Sequence, residues 1–207
     1  MNDPQETSVW IDPGDGAPRL DARYAQGTRA ATVVAPPHPE MGGRMDHPVV
    51  AAIVAGFHAA DVATLRFDWR GAGRSAGSVT GEPSAARADY AAALTHLVGL
   101  HAGPHVAAGY SFGAATALAV AAADPRPERL VLVGPPAGLL RPELLAAFAR
   151  DALVILGDDD SYAPLARVRP ILAPFPRVRL EVVRGTDHFF TTGGLERIAP
   201  LVTAFLG

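Results

Sequence analysis

A serine between two glycines has the spacing of an activated nucleophile. Ser111 is the centre of the segment GYSFG at residues 109–113, which has the form G-x-S-x-G. The apolar run Val106–Gly109 precedes it and the small-residue segment Phe112–Ala123 follows, which predicts a strand, a sharp turn and a helix. Such a turn holds the serine in a strained conformation with its hydroxyl exposed above the sheet. The alternative is a tight turn in which Ser111 only caps the helix.

A serine hydroxyl is a poor nucleophile until a base removes its proton. Of the seven histidines, His188 is best placed to be that base, because it follows the run Val178–Val183 and so lies at the carboxyl end of a predicted strand. Three others lie on or at the ends of helical segments, and His105 begins a strand at the opposite end of the sheet. The alternative for a lone histidine in a loop is a solvated side chain without a role.

An imidazole base needs a carboxylate that fixes its tautomer and stabilises the imidazolium. Three consecutive aspartates, at positions 158–160, follow the apolar run Leu153–Leu156. The order serine, acid, histidine along the chain is the order of folds with a strand–turn–helix nucleophile. Chemistry alone leaves the choice among the three aspartates open. Asp187, next to His188, is interpreted as a turn residue, because side chains of neighbouring residues rarely face one another.

Short apolar runs alternate with longer helical patterns along the chain, after two edge strands that flank a turn at residues 13–16. The predicted strands are Ser8–Ile11, Leu20–Ala25, Ala31–Ala35, Ala63–Phe67, Val106–Gly109, Leu130–Val133, Leu153–Leu156 and Val178–Val183. The predicted helices are His47–Ala60 with Asp46 as its N-cap, Pro83–Leu100, Phe112–Ala123, Pro142–Ala149, Pro164–Leu172 and Leu195–Leu206. This alternation predicts a mainly parallel sheet with helices on both faces, which binds its ligands beyond the carboxyl ends of the strands.

Composition narrows the function classes. The 207 residues suit one domain, spanning residues 1–207. The net charge of -3 gives no reason to expect nucleic acid or an anionic membrane as a partner. The chain has no cysteine, so thiolate nucleophiles, disulfides and cysteine-bound metals are excluded. No histidine pair has metal-ligand spacing on one helix, and no secretory signal or membrane span is recognisable. We therefore expect a cytoplasmic protein without a metal or other cofactor.

Four segments together resemble the α/β-hydrolase superfamily, and most of all its small, lidless bacterial serine hydrolases. They are PPHPEMGGRMD at residues 36–46, LRFDWRGAGRS at residues 65–75, the turn around Ser111, and the acid loop with the DHFF loop. The resemblance extends from about Ala31 to Leu206 and implies a single-domain α/β-hydrolase fold. In the family the acid stands three residues after a strand-ending glycine, which implies Asp160, with Asp158 as the second candidate.

An oxyanion formed at the substrate carbonyl needs two backbone N–H donors. Phe112 supplies one, at a helix N-terminus directly after the nucleophile. In the loop after Ala35, His38 is the first residue that is not proline and still has an N–H to donate, and the resemblance points to the same position. The alternative is a rigid proline turn without a role. Pro36 and Leu156 stand where the family often has histidine. Neither position belongs to the expected triad, so these departures affect the fine geometry of the site and the substrate subtype but not the reaction class.

These expectations lead to a serine hydrolase that cleaves small carboxylic esters through an acyl-enzyme on Ser111. The stretch between residues 134 and 152 has room for one short helix, so we expect no substantial cap domain and an open site. Residues near enough in sequence to line the pocket are Met41, Tyr110, Tyr162 and Phe189. A thioesterase, a peptidase, an acyltransferase, a lactonase and a non-catalytic binding domain with the same fold are the alternatives. The expected partner is a small ester or thioester, and both a monomer and a homodimer are left open.

Overall fold

The computed structural model describes residues 5–14 and 16–207, and the strands found there form one eight-stranded sheet. They are β1 (Thr7–Ile11), β2 (Leu20–Ala25), β3 (Ala30–Ala35), β4 (Val62–Phe67), β5 (His105–Tyr110), β6 (Pro127–Val133), β7 (Asp151–Gly157) and β8 (Val178–Val183). Their order across the sheet is β1-β2-β4-β3-β5-β6-β7-β8. The pairs β1–β2 and β2–β4 are antiparallel, and all the other pairs are parallel. Asp15, in the turn expected at residues 13–16, lies outside the described residues.

Helices cover both faces of the sheet, as the alternating pattern predicts. They are α1 (Pro48–Ala59), α2 (Pro83–Leu100), α3 (Phe112–Ala123), α4 (Pro142–Phe148), α5 (Leu165–Leu172) and α6 (Leu195–Leu206). Two apolar cores result: α2, α3, α4 and α5 bury their apolar residues on one face, and α1 and α6 bury theirs on the other. Strand β5 lies at the centre and is buried along its whole length. The apolar sequence of β5 follows from this position, since a parallel strand covered on both faces has no side facing water.

The predicted N-cap of α1 is wrong. Asp46 lies outside the helix and is exposed. The helix begins at Pro48, and the residue before a proline is held in an extended conformation, so the cap falls on His47 at φ -57° and ψ 136°. The Nδ1 atom of His47 accepts a hydrogen bond of 3.2 Å from the Val49 N–H, which satisfies one free donor of the first helical turn.

The carboxyl ends of β3, β5, β7 and β8 meet at one edge of the sheet, so the loops that follow these strands are brought together there. Between β6 and β7 the chain forms only the short helix α4, and no cap domain enters at that point. The edge above Ser111 is therefore open. Within the described residues no helix has the length and apolar character that crossing a bilayer requires.

Candidate active site

Ser111 occupies a strained turn between β5 and α3. Its φ of 54° and ψ of -118° are rare for any residue with a side chain, and the Val133 carbonyl accepts a 2.8 Å hydrogen bond from its N–H. A Cβ on Gly109 would lie 2.5 Å from the backbone of Gly113, and a Cβ on Gly113 would lie 2.5 Å from the carbonyl oxygen of Ala35. Both glycines are therefore required for strand and helix to approach this closely. The Ser111 hydroxyl does not cap the helix.

The hydroxyl of Ser111 instead faces His188. The Oγ atom lies 2.9 Å from Nε2 of His188, and Nδ1 of the same ring lies 2.7 Å from Oδ2 of Asp160. With Nδ1–H donated to the carboxylate, Nε2 carries the lone pair that accepts the serine proton. The histidine is 3% exposed and the aspartate 2% exposed. This hydrogen-bonded chain can carry a proton from the serine to the imidazole.

Asp160 has the hydrogen bonds that a buried carboxylate needs. Its Oδ1 atom accepts bonds of 2.8 Å from the backbone N–H groups of Tyr162 and Ala163. These two bonds fix the carboxylate and direct its other oxygen towards His188. A buried carboxylate without such partners would be costly.

Asp158 and Asp187, the other aspartates considered near His188, form hydrogen bonds within the loops instead of with the imidazole. The Oδ1 atom of Asp158 accepts hydrogen bonds of 2.6 Å and 3.3 Å from the N–H groups of Gly185 and Thr186, which join the acid loop to the loop that carries His188. Asp158 therefore does not contact the imidazole. Asp187 is a turn residue, as expected: its carboxylate accepts bonds of 2.8 Å and 2.6 Å from the N–H and hydroxyl of Thr191. The Thr191 hydroxyl is the main reason that the pKa of Asp187 lies below its usual range.

The loop after β3 lies beside Ser111 and is held by hydrogen bonds to its backbone. The indole N–H of Trp69 donates a 2.9 Å bond to the Pro37 carbonyl. The His38 carbonyl accepts bonds of 3.1 Å and 3.0 Å from the N–H groups of Met41 and Gly43. Loop and helix meet where the Gly113 backbone contacts the end of β3. The His38 backbone is thus held by hydrogen bonds to the residue before it and to its own carbonyl group.

The N–H groups of His38 and Phe112 make no hydrogen bond to any residue that the structure describes. They belong to the loop after β3 and to the first turn of α3, next to Ser111, which makes them the candidate donors to a substrate oxygen. The His38 ring packs on the Phe112 ring with centroids 4.6 Å apart, and its buried Nδ1 atom has no hydrogen-bond partner within the described chain. The hydrogen bond of the Ser111 hydroxyl goes to His188 and not to this ring.

A pocket of about 90 Å³ opens above Ser111. Its lining residues are Pro37, His38, Met41, Gly42, Gly43, His47, Tyr110, Ser111, Tyr162, His188 and Phe189. All four residues that the sequence suggested for the pocket are among them. Met41 is 67% exposed, and Tyr162 and Phe189 are each 45% exposed, so these three form an apolar rim.

Below the rim, aromatic rings enclose the imidazole of His188. The Tyr162 ring lies 4.6 Å from the His188 ring, and the Tyr110 hydroxyl donates a 3.1 Å bond to the His188 carbonyl. Burial raises the pKa of Tyr110, with a further contribution from the Asp160 charge, so its hydroxyl stays protonated as a donor. His47 lines the pocket although the sequence suggested it only as the start of a helix. The sequence signal for this position is Pro48, because a proline at the first position of a helix makes the preceding residue, His47, the N-cap.

A larger cavity, of about 190 Å³, lies at the opposite end of the sheet, among residues that include Arg29, His105 and Arg129. No serine is among its described lining residues, and the length of β5 separates it from Ser111. Among residues 5–14 and 16–207 no three histidine, aspartate or glutamate side chains are grouped to hold a metal ion. The candidate active site is therefore the pocket at Ser111.

Comparisons with known proteins show the family and the fold. The family model described as serine aminopeptidase, S33, matches residues 30–168, from β3 into α5. The chain therefore belongs to this family of α/β serine hydrolases. No curated protein matches the chain.

Three solved structures share the fold, each with a TM-score of 0.83. An α/β serine hydrolase homologue from Coxiella burnetii is 24% identical, over 98% of this chain and 97% of that one. A putative α/β hydrolase from Agrobacterium tumefaciens is 26% identical, over 98% and 94%. An α/β serine hydrolase without a lid, from Xanthomonas campestris, is 24% identical, over 97% and 93%. The predicted fold class is thus confirmed.

Proposed function

We propose that this hydrolase cleaves small carboxylic esters through an acyl-enzyme on Ser111. The observation that carries the proposal is the hydrogen-bonded chain from the Ser111 hydroxyl through His188 to Asp160, beside two unpaired backbone N–H groups. A serine nucleophile, a base and a carboxylate that orients the base are the parts that acyl transfer needs. An α/β hydrolase with these parts in contact is expected to react with an acyl carbonyl.

The reaction proceeds in two halves. Oγ of Ser111 attacks the ester carbonyl carbon and its proton passes to Nε2 of His188. The N–H groups of His38 and Phe112 donate to the oxygen that becomes negative. The carbon–oxygen bond to the alcohol then breaks, and the alcohol leaves with the proton from His188. Water then attacks the carbonyl carbon of the acyl-enzyme and gives one proton to His188. The bond to Oγ breaks, the carboxylic acid is released, and His188 returns the proton to Ser111.

The pocket supports an ester with a small acyl or alcohol group. Its volume of about 90 Å³ is well below the roughly 300 Å³ at which drug-sized ligand sites begin. No arginine is among its described lining residues, and a thioester of coenzyme A carries phosphates that arginine commonly binds. An ester needs neither a cationic nor an anionic group in the pocket.

An aminopeptidase is the second candidate, because the matching family is described as serine aminopeptidases. Such an enzyme has to bind the free α-amino group of its substrate, for which a carboxylate is the usual partner. Among the described residues, none that lines the pocket is aspartate or glutamate. The ester is therefore the better supported substrate.

Intact mass after exposure to a fluorophosphonate probe tests the nucleophile. The wild type should gain one adduct, Ser111→Ala should gain none, and Ser84→Ala, which removes an exposed hydroxyl on α2, should react like the wild type. An unlabelled but folded wild type would contradict the proposal and favour a binding domain. Hydrolysis of 4-nitrophenyl acetate, of amino-acid 4-nitroanilides and of acetyl-coenzyme A then separates esterase, aminopeptidase and thioesterase.

A further inference from the structure

His47 lies in the wall of the pocket but has no part in the proposed reaction. Its Nδ1 atom accepts the Val49 N–H as the N-cap of α1. An imidazole nitrogen that accepts a hydrogen bond carries no proton, so the neutral ring bears its proton on Nε2. The fold therefore sets the tautomer of His47 before any substrate binds.

The ring is also fixed in position. It packs on the Tyr110 ring with centroids 5.0 Å apart and planes inclined by 36°. The Tyr110 ring is itself buried, contacts the His188 ring at 5.6 Å and is anchored by the hydroxyl bond to the His188 carbonyl. His47 and His188 thus rest on one shared aromatic ring, next to the pocket over Ser111.

The Nε2–H of His47 is a free donor in a pocket with few others. Within the described chain it has no partner, and it is not among the fully buried atoms. The Tyr110 hydroxyl is already used by the His188 carbonyl, and Nε2 of His188 is used by Ser111. Burial lowers the pKa of His47; the charge of Asp46 opposes this effect and the nearby His188 adds to it. The net lowering of the pKa keeps the ring neutral and its Nδ1 cap intact near neutral pH.

We infer that the Nε2–H of His47 donates a hydrogen bond to a substrate oxygen close to the scissile carbonyl. The preferred substrates are then small esters that carry an ether, hydroxyl or carbonyl oxygen a few bonds from the ester group. A site built around a fixed donor discriminates against an analogue that leaves the donor unpaired. This makes His47 a specificity-determining residue, and the inference rests on the proposed esterase function.

The substitution His47→Asn isolates the donor. Asparagine is a preferred N-cap, so the first turn of α1 keeps its hydrogen bond, while the shorter amide does not extend to the place of Nε2. Two pairs of esters of equal chain length, each with one methylene exchanged for oxygen, report on the two sides of the ester. The acyl pair is 4-nitrophenyl methoxyacetate and butanoate, and the alcohol pair is 2-methoxyethyl acetate and butyl acetate.

The readout is the kcat/KM ratio, oxygen-bearing over hydrocarbon ester, in the wild type and the variant. Comparing these ratios cancels the intrinsic reactivity of each ester and the fraction of folded enzyme. We expect His47→Asn to lower the ratio about three- to tenfold in one pair, which identifies the side of the oxygen. His96→Asn, a histidine on α2 outside the pocket, should leave both ratios unchanged.

Unchanged ratios in both pairs, or an equal fall with His96→Asn, would overturn the inference while leaving the esterase proposal intact. If the wild type hydrolysed none of the four esters, the proposed function itself would fail, and the inference with it. The two failures are distinguished by turnover of the hydrocarbon esters alone.

Discussion

The carboxylate of Asp158 holds the backbone of Gly185 by a 2.6 Å hydrogen bond, three residues before the histidine that faces Ser111. Two aspartates in one loop thus reach His188 by different routes. Asp160 contacts the imidazole, whereas Asp158 holds the loop from which the imidazole projects. Their substitution should therefore have different effects.

We expect Asp160→Asn to lower kcat by about 10⁴-fold, because an amide no longer stabilises the imidazolium or selects its tautomer. Asp158→Asn should lower kcat by about tenfold or less, since it weakens two hydrogen bonds between the loops without removing their acceptor, at a cost of about 1 kcal/mol. Ester turnover under saturating substrate, with circular dichroism as the control for folding, measures both. A larger loss with Asp158→Asn would show that the acid has been wrongly assigned.

Gly113→Ala should disturb the site through the loop after β3. The added Cβ would lie 2.5 Å from the Ala35 carbonyl oxygen, so the end of β3 would have to move. We expect a destabilisation of about 1–3 kcal/mol together with reduced kcat, because that strand leads directly to His38. Urea unfolding and ester turnover measure the two effects.

Gly99→Ala is the matched control for that change. A Cβ on Gly99 meets no atom within 4 Å, and Gly99 lies on the exposed surface of α2. Alanine there should stabilise the helix by about 0.5–1 kcal/mol and leave kcat unaltered. Equal behaviour of the two variants would refute the close contact between α3 and β3.

The role assigned to the His38 backbone can be separated from its side chain. His38→Ala removes the ring and keeps the N–H, so we expect a change in kcat of less than about tenfold. His38→Pro removes the N–H as well, and the φ of -62° at this position suits proline. Loss of one oxyanion donor should cost about 10²- to 10³-fold in kcat. If His38→Ala abolished turnover without unfolding the protein, the ring and not the backbone would be the functional group.

The sequence predicts the elements better than their ends. The bounds of α2, α3 and α6 agree with the prediction, because local residues mark where each helix begins: Pro83 in the first turn of α2, the turn residue Ser111 before α3, and Gly194 before α6. Strand β7 is longer than predicted at both ends, since its pairing with β6 and β8 includes the polar Asp151 and the terminal Gly157. Such pairing depends on neighbours that are distant in the sequence.

The sequence also predicts some residues of the candidate site better than others. Ser111 and His188 follow from their positions after predicted strands, and both glycines around the serine are explained by close backbone approach. The choice of Asp160 over Asp158 needed the family pattern, because three adjacent carboxylates have the same chemistry. Of the three aspartates, only Asp160 is buried, and its carboxylate accepts hydrogen bonds from the backbone N–H groups of Tyr162 and Ala163. The path of the loop decides which aspartate is buried, and the residue type does not reveal that path.

Protonation of three histidines should destabilise the protein as the pH falls. Burial lowers the pKa of His47, His96 and His105 below the ordinary value of 6.5. Below that value the unfolded chain binds protons that the folded chain does not bind, so the free energy of unfolding falls as the pH falls. This stability is fully present above about pH 6.5 and is lost as the pH approaches the lowered values of the folded state.

His47→Asn removes one of these three groups. The free energy of unfolding of the variant should therefore depend less steeply on pH than that of the wild type, between about pH 7 and about pH 5. Urea unfolding at several pH values in this range measures the slope. The carboxylates, among them Asp68, whose pKa is raised by burial, are the same in both proteins, so the difference between the two slopes reports on His47. Equal slopes in the two proteins would mean that His47 is protonated as readily in the folded chain as in the unfolded one, and its neutral, donating tautomer would not be maintained by the fold.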